Sequence, residues 1–235
     1  PENNQVENNL FHHFSFSGMA LSILQMNANK GDSWQKRNTF HTHGSRAMSK
    51  VAYVDVSLSR ASHWGYFQQD GVAWQAAGGE GAGYGSDGTV RHHLWVHDSV
   101  KPAVRWDGFD GINGLDHHEV AVNVPGFGMI KGDYHKVYNS VGVLAHDPNE
   151  TMFKILNTNE KWHNAPGDDT HYPRNENSLI KNNLSDSISG QRIGFLALTA
   201  TDENNWNGYL KNTLAAEQLR DAINFDFRPK ATSSE

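Results

Sequence analysis

Cysteine is absent from the 235 residues. Its absence excludes a disulfide scaffold, thiol catalysis and a thiolate metal site together. Positive charge is scarce: Lys and Arg number 20 against 26 Asp and Glu, a net charge of -6 with His neutral. A nucleic-acid binder needs a basic stripe to release counterions from phosphates, so no nucleic acid is expected as a partner. Long apolar runs are missing too, and no stretch approaches the length of a bilayer-spanning helix, so no membrane partner is expected. The Gly-x-Ser-x-Gly elbow, the Walker loop and His-Glu-x-x-His do not occur. Gly79-Glu80-Gly81-Ala82-Gly83 is glycine-rich, but no strand-to-helix transition follows it to cradle a phosphate.

Apolar residues make up a modest 37%, yet seven Trp, seven Tyr and eleven Phe supply area for a core. The Asn-rich, Lys-poor, Trp-rich composition points to an exported, extracellular product. Short apolar stretches alternate with Gly, Asn and Asp clusters from Leu10 onward, a rhythm of strands and turns. Strands are predicted over Val51–Leu58, Thr89–Asp98, His117–Val124 and Arg192–Ala200, with Val54, Val56, Leu58, Val120, Val122, Phe195 and Leu198 buried. Glycine-dense loops fall at Gly78–Gly88 and Asp107–Gly114, and a long polar stretch runs from Asn157 to Asn183. One helix is expected over Thr213–Ile223, followed by a closing edge strand at Phe225-Asp226-Phe227. No internal repeat at solenoid or propeller spacing is apparent. The expected fold is therefore all-β: an antiparallel β-sandwich or jelly roll with one C-terminal helix. It forms a single domain over 1–235, of which 1–9 is a polar arm. A barrel-like cupin is the nearest alternative.

Fourteen histidines cluster in ways that suggest chemistry. His41 and His43 lie two apart, on one face of a strand, about 6–7 Å from each other. Two imidazoles so placed can converge on a divalent metal ion, the one cofactor the sequence suggests. No acid follows on the same strand to complete the pattern, and a solvated histidine pair is the plain alternative. In Arg91-His92-His93-Leu94-Trp95-Val96-His97-Asp98, period two puts Arg91, His93, Trp95 and His97 on one face about 20 Å long. That reach suits several successive sugar rings rather than one ion. His118 falls on the apolar face of the next strand and reads as a satisfied core histidine.

Proton abstraction beside a uronate carboxylate needs a base, an acid for the leaving oxygen and a group that neutralises the carboxylate. Tyr134, His135 and Tyr138 are candidates for the first role, His43 and His93 for the second, and Arg60, Gln75 and Arg91 for the third. Arg60, Trp64, Gln75, Arg91, Trp95 and His97 supply the mixture of cations, amides and indoles that a sugar-binding rim needs. Each of these types is also an ordinary strand former with a polar tip. The expected function is a carbohydrate-active protein, a lyase that cleaves an anionic polysaccharide or oligosaccharide by β-elimination. A mononuclear metalloenzyme or oxygenase built on His41 and His43 is the second expectation. A non-catalytic lectin or self-assembling structural protein is the third.

Overall fold

The computed structural model describes the backbone of residues 5–7, 10–12, 22–27, 33–36, 39–41, 46–50, 54–63, 74–77, 89–107, 114–146, 151–156, 175–188 and 200–231. Side chains are described over 57–63, 90–106, 114–146, 151–155, 175–188 and 200–231.

Strands only a few residues long, ended by left-handed corners, determine the architecture. Leu58, His93, His118, Asn139, Asn182 and Asn204 all take φ between 50° and 55°. Asn and His tolerate this region better than most side chains because a short polar group can bond locally. Each turn redirects the chain from one sheet to the next. The corner amide is not orphaned: His93 N–H donates to the His117 carbonyl, His118 to Tyr138, Asn139 to Lys181 and Asn182 to Glu203. A second series of left-handed residues, His63, Asp98, Asn123 and Leu144, turns the chain again.

The product is a parallel β-solenoid. Among the described residues, the first sheet has eight strands, from Gln5–Glu7 to Thr201–Glu203, and the second has eight, from Leu10–His12 to Trp206–Asn207. The third has six, from Ser22–Asn27 to Phe153–Leu156. Every pairing within these sheets is parallel, and residues at equivalent positions stack into columns, as in Arg91, Asp116, Val137 and Ile180 of the first sheet. Gln5–Glu7, inside the polar N-terminal segment, is the outermost strand of the first sheet.

This overturns the expected antiparallel sandwich or jelly roll. Period-two alternation reports which residues face inward, and it is blind to whether neighbouring strands run parallel. The predicted strand Thr89–Asp98 is two strands, Thr89–His92 and Trp95–His97, in different sheets with the His93 corner between them. His117–Val124 is likewise broken at His118. The absence of a solenoid repeat is also corrected, since the strands recur in fixed order. Leu58, expected inside, is 45% exposed because it occupies a corner. Val122 is buried as expected, and Val120 is half-buried. The side chains of Val54 and Val56, and all of 192–199, lie outside the described residues.

The interior joins Leu94, Val96, Val104, Trp106, Phe127, Ile130, Phe153 and Ile180 in one cluster. Phe127 and Phe153 stack at 4.1 Å, each ring contributing roughly 1.5–3 kcal/mol by burial. Gly142 admits this packing: a Cβ there would stand 2.5 Å from Met152 Cγ and 2.9 Å from Phe153 Cε2.

The expected C-terminal helix does not form. Its residues are divided among a 3₁₀ turn at Ala215–Gln218, a strand at Leu219–Asp221 and a second 3₁₀ turn at Ala222–Asn224. Leu219–Asp221 pairs antiparallel with Asp226–Pro229, so Asp226 and Phe227 do enter a closing strand. This small hairpin is the sole antiparallel sheet among the described residues. Its apolar side chains are spent on the outer face of the second sheet: Ala215, Leu219 and Ala222 pack on Val122 and Val143, with Val141, Leu184, Trp206 and Phe227 at the margin. No helix among the described residues is long and apolar enough to cross a membrane.

Candidate functional site

The corners sort the expected site residues into three environments. Arg91 points into the solenoid, 1% exposed, and its guanidinium meets Asp116 through two bonds, Nε to Oδ1 at 2.5 Å and the second nitrogen to Oδ2 at 2.8 Å. Trp106 Nε1 donates to the same carboxylate, and the guanidinium lies 4.1 Å from the Trp106 ring. A buried cation already satisfied by a fork-to-fork partner cannot neutralise a substrate carboxylate.

His135 is also interior, with no exposure. Gly114 N–H donates to its Nδ1 at 3.0 Å, and its Nε2–H donates to the Lys131 carbonyl at 2.7 Å. Burial pushes its pKa down to about 4, against the opposing pull of the Lys131 carbonyl. It is a neutral structural imidazole with both nitrogens used, tilted against Trp106 at 4.9 Å.

The second environment is the outer face of the second sheet. Arg60 lies 4.4 Å over the Trp95 ring, and its Nε–H donates to His97 Nε2 at 2.8 Å. His97 therefore holds its proton on Nδ1 and donates it to Asp98 Oδ2 at 2.6 Å, while Asn123 Nδ2 donates to Asp98 Oδ1. Burial lowers the His97 pKa, outweighing the opposing hydrogen bond to Asp98. The Phe225 ring closes over both Trp95 (5.1 Å) and His97 (4.9 Å), which leaves His97 2% exposed. Arg91, His93, Trp95 and His97 thus do not form one open row.

The third environment is an outer face of half-buried and exposed side chains, and it gathers rings that the sequence had scattered. On the outer face of the first sheet, His92, His117, Tyr138, Lys181 and Glu203 are register partners on successive strands. His92 stacks on His117 at 5.0 Å with planes 12° apart, and His117 stacks on Tyr138 at 5.1 Å with planes 4° apart. Beside them the corner residues His93 and His118 stack at 5.2 Å. His117 and His118 approach through their Nδ1 atoms at 2.8 Å, so one donates to the other. Burial and the neighbouring imidazoles His92, His118 and His93 press the His117 pKa down to about 4. His93 is lowered for the same reasons in milder degree. Crowded imidazoles cannot all carry protons, and the burden falls on His117 and His93.

Of the residues nominated from sequence, His93 and Tyr138 belong to this ladder. Tyr134 is 46% exposed at another left-handed position. His92, His117 and His118 were missed as a group. His118, expected in the core, is exposed because its corner turns it outward. The sequence signal was there in the doublets His92-His93 and His117-His118, which are register neighbours once the corners coincide. Trp64, His43 and the side chains of Gln75 and His41 lie outside the described residues; His41 ends the strand Thr39–His41.

The side chains of the expected metal pair, His41 and His43, lie outside the described residues; among the described residues, no group of three or more His, Asp or Glu side chains could hold a metal ion. The clustered imidazoles stack ring on ring instead of converging. Comparison with protein-family models, curated proteins and solved structures finds no match.

Proposed function

We propose that the protein is carbohydrate-active and holds an extended polysaccharide along the outer face of the first sheet. The observation that carries this reading is the half-buried His92–His117–Tyr138 stack on the outer face, with exposed His93 and His118 alongside. The rings cover one another's faces, so what they offer outward is their edges. Those edges repeat one polar group per strand, about 4.8 Å apart, a row suited to hydroxyls of a repeating polymer. A parallel solenoid is compatible with a polysaccharide lyase, and the columns supply one candidate arrangement for β-elimination. Neutral His117 would take the proton beside a uronate carboxylate, the Tyr138 hydroxyl would give its proton to the departing glycosidic oxygen, and exposed Lys136, two residues from Tyr138 on the same strand, would neutralise that carboxylate.

The test is binding and turnover across neutral and anionic polysaccharides. His117→Ala should weaken binding about tenfold or more, since it removes the centre of the stack. Tyr138→Phe should abolish formation of the absorbing unsaturated uronate while leaving binding within about twofold, as expected of a group acting in the transition state. If no polysaccharide binds, or if the ladder variants bind like the parent, the reading fails. Binding without any turnover would reduce it to a lectin.

A further inference from the structure

A cavity of about 790 Å³ lies between the second series of corners and the C-terminal segment, on a different sheet from the histidine ladder. That volume falls within the range of small-molecule sites, roughly 300–1,000 Å³. It exists because the C-terminal hairpin covers the second sheet at Val122 and Val143 and then stands away from the corner residues Asn123 and Leu144. Asp186 fixes the gap by tying both sides: its Oδ1 accepts the Ala215 N–H at 2.8 Å and its Oδ2 the Ala145 N–H at 3.3 Å.

Two features of the lining specify the occupant. Tyr209, Leu214, Ile223 and Phe225 line it while remaining 48%, 48%, 73% and 37% exposed, a concentration of large apolar side chains that the fold itself does not bury. The carboxylates on the wall are Asp98, Asp186 and Glu217, and His146 is the one basic side chain among the described lining residues, which include no Lys or Arg. Asp186 is consumed by backbone amides, whereas Asp98 accepts from His97 and Asn123 and Glu217 from the Thr213 hydroxyl, with no lysine or arginine of the wall paired to either. Two negative groups beside two aromatic rings attract an ammonium or guanidinium group carried on an apolar body.

We propose that this cavity is a binding site for a small organic cation with an apolar or aromatic body, held by Asp98 and Glu217 and by the rings of Tyr209 and Phe225. The site is independent of the histidine ladder, and its ligand need not be the polymer or its product.

Three probes sharing one phenyl ring separate charge from hydrophobicity: 2-phenylethylammonium, 2-phenylethanol and 3-phenylpropionate, titrated into the full-length protein by calorimetry. The ammonium should bind saturably, with a dissociation constant at or below about 1 mM, at least tenfold tighter than the alcohol, and the carboxylate should not bind. Glu217→Gln, a change at an exposed side chain bonded to the Thr213 hydroxyl, should weaken ammonium binding severalfold without unfolding the chain. Asp98→Asn should do so more strongly. Tyr138→Ala should leave ammonium binding unchanged, so failure here is distinguishable from failure of the polysaccharide reading. Equal affinity for ammonium and alcohol, no saturation by about 10 mM, or full binding in both carboxylate variants would overturn the proposal.

Discussion

Removing one ionisable group from the interior should stabilise this protein, and more so as pH rises. Residues that follow the first corners point inward and cap the backbone of the preceding coil. Ser140 Oγ meets the Glu119 amide at 3.2 Å, Asn183 Oδ1 accepts the Ser140 N–H at 2.9 Å, and Asn205 Oδ1 accepts the Asn183 N–H at 2.8 Å. Glu119 holds the next place in that column, 2% exposed, and neither of its carboxylate oxygens has a hydrogen-bond partner. Burial drives its pKa well above 4.5, and the nearby Asp116 carboxylate adds to the rise against the opposing pull of Arg91. The folded chain then retains a proton that the unfolded chain releases. Above the unfolded pKa, stability therefore falls with pH, by up to about 1.4 kcal/mol per unit, until the folded pKa is reached. Glu119→Gln keeps the shape and abolishes the titration. Urea denaturation of parent and variant from pH 4.5 to 8 gives the difference in unfolding free energy. It should be small at pH 4.5 and grow in favour of the variant as pH rises. Taking the difference cancels the other titrating groups. A flat difference across the range would refute the reasoning.

Other perturbations test other layers. His135, with its pKa depressed to about 4 from 6.5, contributes stability that is full above pH 6.5 and lost as pH falls towards 4. The loss, about 3 kcal/mol, should be missing from the acid limb of a His135→Gln denaturation profile. Arg91→Met should cost about 3–5 kcal/mol in urea denaturation, because it strands the buried Asp116 carboxylate. The double variant Arg91→Met/Asp116→Leu should recover much of that loss. Gly142→Val should lower stability by about 1–3 kcal/mol by driving side-chain atoms into Met152 and Phe153, measurable as a fall in Tm. Leu58→Asn should raise Tm, since Asn replaces a branched apolar side chain at φ 50° and stands 45% exposed; a lowered Tm would mean that Leu58 packs against something that Asn cannot replace.

The all-β character was legible because alternation, turn residues and aromatic strands do not depend on how strands are joined. The pairing direction was not, and the reason is local. Asn139, Asn182 and Asn204 each follow a short strand and precede a buried or half-buried Ser or Asn, a repeated unit visible only when the corners are aligned. The segments inserted between third-sheet strands and the following first-sheet strands differ in length, so no constant period survives in the sequence. His93 and His118 occupy the same corner position as these asparagines, where they read as strand residues. Placing them in strands ran the residues on either side of a corner into one face, which is how inward Arg91 came to share an open row with outward Trp95 and His97. The C-terminal stripe of Leu210, Leu214, Leu219 and Ile223 carries helical spacing, but Leu219 is buried on the second sheet while Leu210, Leu214 and Ile223 stay exposed. Tertiary contact at one position outweighs periodicity at four.

The same corner geometry explains why a functional surface arises here from columns and not from a local motif. A left-handed residue at each turn keeps the register constant from strand to strand, so one outward position recurs about every 4.8 Å along the axis. A polar ring accepted at that position in one coil creates a neighbour against which a ring in the next coil gains stacking energy, about 0.5–1.5 kcal/mol per aromatic pair. His92, His117 and Tyr138 are such a series, and it continues at Lys181 and Glu203, which pair at 2.9 Å. The ion pair ends the run of rings by occupying the two positions where further rings would extend it. If the ladder binds a polymer, the Lys181–Glu203 pair marks one end of the stacked-ring row. Glu203→Gln would then free Lys181 and strengthen binding to an anionic polymer, while leaving a neutral one unaffected. Affinity for both polymers, measured on that variant, decides the matter: equal changes for the two would mean that the column ends for packing reasons alone.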